Sequence, residues 1–296
     1  MNMKKIAYLL VVHKSPNQVN KFIEQLQNIG DCDIYIHVDS KSRDIISQIT
    51  SEENIYIFSE YDVKWGSFEI VESAIFLMKE IIKSNKKYDH IYFGSGQDLI
   101  IKNGLLDYLN THKNDMFIKI QDEPINRFDR RTARYKICWP KGLLIRNDLH
   151  IYRFIRIGLS ILCKFGINLF PNKKQLQAEV KFYEGRTWFI IPYEVMSYIV
   201  EYLENNKDYI EFWRDSLASD LMFFQTIIMN SPYKNLVQDE LMFVEFGKKF
   251  SNMNHPYTLT LSDIERLESS NKFFARKFEE KIDNRVIDYF VEKIKF

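Results

Sequence analysis

Cysteine is scarce in this chain, which has Cys32, Cys138 and Cys163 among its 296 residues. The number is odd, the three residues are far apart, and none has the C-x-x-C spacing of many metal sites. A disulfide framework is therefore disfavoured, and a reducing compartment fits the pattern better. We accordingly expect a cytoplasmic protein.

Long hydrophobic runs are also missing, since no stretch approaches the roughly 20 apolar residues that span a bilayer. The start, MNMKKIAYLLVV, has the lysines and the apolar run of a signal peptide. The run is short, however, and no small-residue cleavage site follows it. It predicts a first β-strand instead.

The nearest approach to a membrane segment is the stretch 151–174, in which Arg153, Arg156 and Lys164 interrupt the apolar residues. A basic, apolar segment of this kind can lie on an anionic membrane surface. It would then hold the protein peripherally at the inner face of the cell membrane. The alternative, which we favour from the sequence, is a helix that packs on its own domain with its basic residues in solvent.

An excess of charge of either sign is absent, because 41 Lys and Arg residues nearly balance 40 Asp and Glu residues. The overall charge therefore gives no reason to expect a nucleic-acid partner. Hydrophobic residues make up 46% of the chain, which is enough for a real core. No internal repeat or low-complexity linker interrupts the sequence, so we predict a single domain over 1–296.

Apolar runs of strand length alternate with helix-period segments in the first part of the chain. The runs are IAYLLVV, CDIYIHV, NIYIF, HIYFG and DMFIKI, and the clearest helix is FEIVESAIFLMKEIIKSN. This alternation predicts an α/β fold with a Rossmann-like, mostly parallel sheet flanked by helices. Beyond about residue 123 the order is less regular: strands TWFIIP and ELMFVEF, helices YEVMSYIVEYLENN and SDLMFFQTIIMN, and a final charged stretch.

Small and polar residues follow three of the strands, where the ligand crevice of a doubly wound sheet lies. They are His13 with Lys14, Asp39, and the run GSGQD at 94–98. Glycines let a ligand approach the backbone, and a carboxylate accepts hydrogen bonds from ribose or sugar hydroxyls. The pattern suits a nucleotide sugar. The alternative is that the glycines only make a turn and Asp98 caps the next segment.

Seven segments carry a family resemblance by their order and spacing: YLLVVHKSPNQV, DIYIHVDSKS, VKWGSFEIVESA, YDHIYFGSGQDLIIKN, GRTWFIIP, SDLMFFQTII and FFARKF. Over almost its whole length the chain resembles a bacterial member of the core-2/I-branching β-1,6-N-acetylglucosaminyltransferase family (glycosyltransferase family 14), which includes peptide O-xylosyltransferases. The resemblance implies a GT-A fold and inverting transfer from a UDP-sugar without a metal or other cofactor. It also implies a nucleotide-binding half at about 1–122 and an acceptor-binding and phosphate-binding half at about 123–296.

The resemblance also assigns a donor site. Asp39 matches an aspartate that contacts uridine, and Trp65 falls where the family closes over the nucleotide. For Trp65, packing in the core is an equal alternative. The donor-binding residues predicted in this way are Val12, His13, Asp39, Trp65, Gly66, Ser95 and Asp98.

An Asp-x-Asp motif is missing from the place where metal-dependent GT-A enzymes hold a cation, after the central strand. That place holds SGQD here. The sequence DCD at 31–33 has the motif but precedes its strand, so it lies at the wrong end of the sheet. We predict no metal site, with a metal-dependent enzyme of another family that uses DCD as an alternative.

Without a cation, the charge that develops on the UDP leaving group must be met by side-chain cations. The family's Phe-Ala-x-Lys-Phe stretch stands here at 274–278, which assigns Lys277 to the phosphates and Arg276 to their support. Met242 stands where bacterial relatives often have a second arginine. The residues that would compensate are Arg276, Lys248 and Lys249.

An inverting transfer also needs a carboxylate that takes the proton of the attacking hydroxyl. The family uses a glutamate, but Leu221 stands in its place, after a matching Asp220. Either Asp220 is the base through a small shift in the helix start, or it only caps the helix. Glu184 is the next candidate for acceptor binding or proton transfer, and Trp188 offers a face on which an acceptor sugar could stack.

The predicted function is transfer of a sugar, GlcNAc in the first instance, to a glycan hydroxyl during bacterial surface polysaccharide synthesis. An acceptor linked to lipid would suit the segment 151–174. The missing glutamate keeps open a protein of this fold that binds a nucleotide sugar without transferring it. Xylose, glucose and galactose donors also stay open, because one substituent changes only a few pocket contacts.

Overall fold

A computed structural model gives the fold and describes residues 5–144, 150–176, 179–248 and 255–294. The strands in these ranges are β1 (Ile6–Val12), β2 (Cys32–Val38), β3 (Ile55–Phe58), β4 (His90–Ser95), β5 (Leu99–Ile100), β6 (Met116–Ile120), β7 (Gly185–Pro192), β8 (Val237–Gln238), β9 (Met242–Val244) and β10 (Phe274–Arg276). The helices are α1 (Pro16–Asn28), α2 (Glu69–Lys83), α3 (Leu105–Thr111), α4 (Ala133–Lys136), α5 (Ile151–Lys164), α6 (Tyr193–Asn205), α7 (Lys207–Trp213), α8 (Phe223–Met229), α9 (Ile264–Glu268) and α10 (Glu280–Lys293).

Seven strands form the main sheet, in the order β3-β2-β1-β4-β7-β6-β8. The pairs among β1, β2, β3 and β4 are parallel, and β7 is antiparallel to both of its neighbours. The predicted α/β architecture with a mostly parallel, helix-flanked sheet of the GT-A type is confirmed. Strand β7 comes from the second half of the chain and lies between β4 and β6, so the two predicted halves share one sheet.

A second, smaller sheet has the order β5-β10-β9. Strand β10 is antiparallel to β5 and parallel to β9. The pairing places Phe274 beside Ile100 and Ala275 beside Leu99. The C-terminal Phe-Ala-Arg-Lys-Phe stretch is thereby held next to the loop that follows β4.

The two faces of the main sheet bury different residues of the same strands, because side chains alternate along a strand. In β1, Tyr8 and Leu10 pack in one cluster with Phe22 of α1 and Phe290 of α10. Ala7 and Leu9 pack in the other cluster, which includes residues of α2, α6 and α8. Helices thus cover both faces, which leaves the strand ends for a site.

Two segments differ from the sequence prediction. The stretch SDLMFFQTIIMN is not one helix: a 3-10 turn, Ser219–Leu221, precedes α8, and Met222 between them has non-helical angles. The strand predicted at ELMFVEF is reduced to Met242–Val244. Within the described ranges, no helix has both the length and the apolar character needed to cross a bilayer.

Candidate functional site

The carboxyl ends of β1, β2 and β4 meet at one edge of the main sheet. The Asp39 amide donates to the Val12 carbonyl at 2.8 Å, and the Gly96 amide donates to the Val11 carbonyl at 3.3 Å. The segment after β10 joins them, because the Phe278 amide donates to the Gln97 carbonyl at 3.0 Å. We call this region the strand-end site.

Asp98, one of the predicted donor-binding residues, is fully buried and bonds within the protein. Its carboxylate accepts from the Ser95 amide at 2.7 Å, from the Ser95 hydroxyl at 3.0 Å and from the Tyr92 hydroxyl at 3.0 Å. Arg276 Nε lies 3.4 Å from Asp98 Oδ1. Burial raises the pKa of Asp98, and Arg276 and the hydrogen bonds oppose that rise. The residue therefore anchors the loop and Arg276.

The glycines after β4 serve this buried contact. A Cβ on Gly94 would lie 2.4 Å from the Tyr92 hydroxyl oxygen, so any larger residue would displace the tyrosine that donates to Asp98. A Cβ on Gly96 would lie 2.7 Å from Val19 of α1. The protein's own packing thus accounts for both glycines, without a ligand approaching the backbone.

Besides its ion pair with Asp98, Arg276 contacts Trp188 and Ser95. Its guanidinium lies over the Trp188 ring at 4.4 Å from the centroid, and Nη2 is 3.4 Å from the Ser95 hydroxyl. Only 9% of the residue is exposed. Trp188 packs its ring against Phe93 at 5.1 Å between centroids. The predicted acceptor-stacking tryptophan therefore supports the predicted phosphate-binding arginine.

Lys277 lies in a second cluster with Glu279, Lys14 and Gln97. Glu279 accepts from Lys14 Nζ at 2.8 and 2.7 Å and from Gln97 Nε2 at 2.7 Å, and it also pairs with Lys277. Burial raises the pKa of Glu279, but these hydrogen bonds outweigh burial and lower the pKa to about 2. Glu279 thus holds two lysines at the strand-end site.

His13 and Asp39, both predicted to bind the donor, also lie at the strand-end site. Burial lowers the pKa of His13, as do the charges of Lys14 and Lys277, so the imidazole is neutral at pH 7. Asp39 is 6% exposed, and its carboxylate accepts from the Lys41 amide at 3.1 Å. That bond caps the helical segment Ser40–Gln48.

Asp220 has a side-chain partner outside its own helix. Thr187 Oγ1 donates to Asp220 Oδ2 at 2.6 Å, whereas the start of α8 has no side-chain cap. Burial raises the pKa of Asp220, and Thr187, Arg134 and Arg276 partly offset the rise. The charges of both arginines therefore act on this carboxylate. Leu221 packs against the apolar core.

Glu184 is held by two arginines. Arg131 Nη1 lies 3.0 Å and Arg134 Nη2 lies 3.2 Å from its carboxylate oxygens, and the residue is 8% exposed. The two ion pairs engage both carboxylate oxygens and hold the Glu184 side chain in place. Glu184 positions Arg134 beside Asp220.

Trp65 and Gly66 connect to the turn that carries Asp220. The Gly66 carbonyl accepts from the Ala218 amide at 2.7 Å. Gly66 has φ +72°, a conformation that strains residues with a Cβ. The guanidinium of Arg156 lies 5.1 Å from the Trp65 ring centroid. Trp65 therefore has a contact with α5.

Met242, at the position where the resemblance predicts a second arginine, lies in apolar surroundings. Met242 is 5% exposed and pairs with Phe274 across the small sheet. Lys248 is exposed on the loop after β9, and Lys249 lies outside the described residues. Arg186 of β7 lies nearby, where it pairs with Glu240.

The DCD sequence lies at the opposite end of the sheet, because β2 begins at Cys32 and reaches the strand-end site only at Asp39. Asp33 is 1% exposed and pairs with Lys5 at 3.0 Å and Lys86 at 3.1 Å. In the part of the chain that the structure describes, no group of three or more His, Cys, Asp or Glu side chains could hold a metal ion.

The sequence did not reveal several residues of the site. They are Arg134, Thr187 and Glu279. Glu279 directly follows the Phe-Ala-Arg-Lys-Phe stretch, and Thr187 lies inside GRTWF. Their positions in or next to two of the seven family segments were therefore a signal that could have identified both residues. Arg134 follows two other arginines in RRTAR, and nothing in that sequence distinguishes it from them.

Comparison with known proteins identifies the family. A family model described as Core-2/I-Branching enzyme matches residues 6–270. The chain belongs to this family of glycosyltransferases. The matched range ends before β10, so the phosphate-binding candidates Arg276 and Lys277 lie just beyond it.

Curated relatives extend the similarity through that segment. The chain is 21% identical to a xylosyltransferase of Ciona intestinalis over 313 residues, 22% identical to xylosyltransferase 2 of Rattus norvegicus over 309, and 21% identical to xylosyltransferase 1 of Homo sapiens over 319. These alignments cover 96%, 96% and 98% of this chain but 33%, 33% and 31% of the relatives. The chain thus spans about one third of the length of the curated relatives it matches.

One solved structure, Rv0371c from Mycobacterium tuberculosis H37Rv, aligns with 40% of this chain and 66% of its own, at 6% identity and a TM-score of 0.27. That similarity is too low to bear on the fold or on the site.

Proposed function

We propose that the protein is an inverting, metal-independent glycosyltransferase that moves a sugar from a UDP-sugar to a glycan hydroxyl. One observation carries the proposal: two adjacent residues of β7 contact the two groups, since Thr187 donates to Asp220 and the Trp188 ring lies against the guanidinium of Arg276. The charge of Arg276 also opposes the raised pKa of Asp220. A held cation and a carboxylate of raised pKa are the two groups that a single displacement needs.

In the proposed reaction, the acceptor hydroxyl oxygen attacks the anomeric carbon while the bond from that carbon to the UDP oxygen breaks. Asp220 takes the hydroxyl proton, and the bonding electrons leave with UDP. Arg276 and Lys277 meet the charge on the diphosphate. Because both cations are already held by carboxylates, little reorganisation accompanies the development of that charge.

The environment of Asp220 suits a general base. Burial raises the pKa of this carboxylate, which brings its basicity nearer to working pH. The Thr187 hydroxyl fixes one carboxylate oxygen, and the other oxygen can accept a proton. In Glu184, by contrast, both carboxylate oxygens lie in ion pairs, one with Arg131 and the other with Arg134.

The donor that we propose is UDP-GlcNAc, from the family resemblance. The relatives named xylosyltransferases support UDP-xylose as the first alternative. UDP-glucose and UDP-galactose complete the set to be tested. The proposed setting is bacterial surface polysaccharide synthesis in the cytoplasm, where the three free thiols would stay reduced.

Donor binding without a metal is the test of this proposal. In calorimetric titrations with EDTA, we expect one of the four UDP-sugars to bind the wild-type protein. Lys277→Ala should weaken that binding by about 10- to 100-fold, because a charge-assisted contact to phosphate is lost.

Lys281→Ala is the matched control, since Lys281 is an exposed lysine four residues further along, and it should bind normally. Binding that begins only when manganese is added would contradict metal independence. It would favour the metal-dependent alternative.

A second candidate is a nucleotide-sugar-binding protein that has lost transfer, and it rests on Leu221 in place of the family glutamate. It predicts tight donor binding with neither transfer nor donor hydrolysis. Release of UDP from the bound donor, in the presence of a glycan acceptor mixture, would exclude it.

The dependence of activity on pH tests the role of Asp220. A base must be deprotonated, so kcat/KM should fall as the pH falls through the raised pKa of Asp220. Arg134 lowers that pKa by its charge, and Arg134→Gln should therefore move the acid limb of the profile to higher pH.

Arg131→Gln is the control, because Arg131 also pairs with Glu184, whereas Arg134 and not Arg131 is among the main influences on the pKa of Asp220. Its acid limb should stay in place. Equal shifts in the two variants would mean that both act through Glu184, and Asp220 would no longer be assigned as the base.

A further inference from the structure

Helix α5 exposes its apolar side and buries its arginines. Arg153 and Arg156 are 5% and 7% exposed, whereas Phe154 and Phe165 at the helix and its C-cap are 50% and 75% exposed. Arg156 donates to the Leu143 carbonyl and lies over Trp65. The sequence-based preference for a helix with basic residues in solvent is therefore wrong for these two arginines.

The exposed side chains form a stripe, because their spacing places them on one side of the helix. They are Ile151, Phe154, Ile155, Ile161, Leu162 and Phe165. The segment directly after the helix adds Ile167, Leu169 and Phe170, which are also exposed, and the Ile167 amide donates to the Leu162 carbonyl of the helix at 2.9 Å. We call these nine side chains the α5 face.

The α5 face is unusual within this chain. It holds nine of the thirteen large hydrophobic side chains that are exposed in the described ranges, all within 151–170. Single exposed apolar residues are normal on soluble proteins, but a contiguous apolar patch marks a surface that binds something.

The charges around the α5 face indicate what it binds. Residues 150–174 contain no Asp or Glu, and they include Lys164 and Lys173, both exposed. Lys136 is also exposed, and its carbonyl accepts from Asn168 Nδ2 at 2.8 Å, so it lies beside the same segment. An apolar stripe with a rim of lysines is complementary to acyl chains under anionic headgroups.

A second copy of the chain fits this surface less well. A symmetric dimer places the same patch on both subunits. The lysine rims would then face each other, and like charges across an interface are unfavourable. We propose that the α5 face binds peripherally to an anionic lipid bilayer. The proposal concerns binding alone and stands whether or not the protein transfers a sugar.

Vesicle co-sedimentation tests this proposal with the full chain. Vesicles of phosphatidylcholine with one third phosphatidylglycerol should bind the protein, and vesicles of phosphatidylcholine alone should bind it much more weakly. Phe165→Ser should lower partitioning onto the anionic vesicles by about tenfold, because an exposed aromatic side chain no longer enters the bilayer. Lys164→Glu should lower it by a similar factor, since attraction to the headgroups is lost.

Matched controls come from α10, where Ile282 is 67% exposed and Lys281 is also exposed. Ile282→Ser and Lys281→Glu should partition like the wild type. Absence of binding to anionic vesicles would overturn the proposal, as would equal losses at Phe165 and Ile282. Light scattering supplies a third outcome: a dimer that Phe165→Ser dissociates, with no vesicle binding, would assign the α5 face to a second copy instead.

Discussion

Asp220→Asn should lower kcat by about 10²- to 10⁴-fold, the range lost when a general base is removed. The amide oxygen of asparagine can still accept from Thr187, so the turn should keep its structure. Donor affinity should stay close to that of the wild type, because the reaction assigns Asp220 to the acceptor hydroxyl. Transfer rates at saturating donor, together with calorimetric donor affinity, measure the two effects separately.

Two further carboxylates serve as comparisons for Asp220. Asp215 pairs with Lys174 at 3.0 Å, away from the proposed chemistry, and Asp215→Asn should transfer at the wild-type rate. Glu184→Gln should affect acceptor KM or stability more than kcat, because Glu184 holds Arg131 and Arg134. A full loss of kcat in Glu184→Gln, with Asp220→Asn still active, would transfer the role of base to Glu184.

Arg276→Met should lower kcat by about 10²- to 10³-fold, the cost of removing one preorganised group that meets charge in a transition state. It should also destabilise the fold by about 3 kcal/mol, because it leaves the carboxylate of Asp98 buried without its cation. Chemical denaturation and steady-state rates measure these two losses independently.

The double variant Asp98→Asn with Arg276→Met separates the two roles of the arginine. Removing the buried charge together with its partner should restore much of the stability, since a neutral amide can still bond with Ser95 and Tyr92. The loss of kcat should persist. Recovery of transfer in the double variant would mean that Arg276 contributes only to stability.

The positions of the early strands follow from the sequence because their signal is local. Alternating or continuous apolar runs predict β1 to β4, and the helical stripe between them predicts α2. In a parallel sheet, the carboxyl ends of neighbouring strands lie on one edge, so Asp39 and the loop after β4 come together without further information. The seven segments predict the family for a similar reason, because their residues, their order and their spacing can all be read directly from the sequence.

The direction in which a polar side chain points is not local, and the tertiary structure decides it. The position of Asp98 after a strand predicts that it faces the donor, and the sequence does not show that Tyr92 and Arg276 contact its carboxylate. Arg276 is 178 positions away in sequence, and only the pairing of β10 with β5 brings it there. Its contact with Trp188 likewise depends on β7 lying next to β4.

Helix α5 shows most clearly which properties follow from the sequence and which follow from the tertiary structure. The sequence determined that 151–174 is apolar, basic and free of acidic residues, and the spacing determined that a helix would have one apolar stripe. Which side of the helix faces the protein depends on what the domain offers it. Trp65 and the Leu143 carbonyl bind Arg156 and turn the arginine side inward, so the apolar stripe lies in solvent. Whether a side chain is buried depends on how the whole chain packs, so the sequence of one segment alone does not determine it.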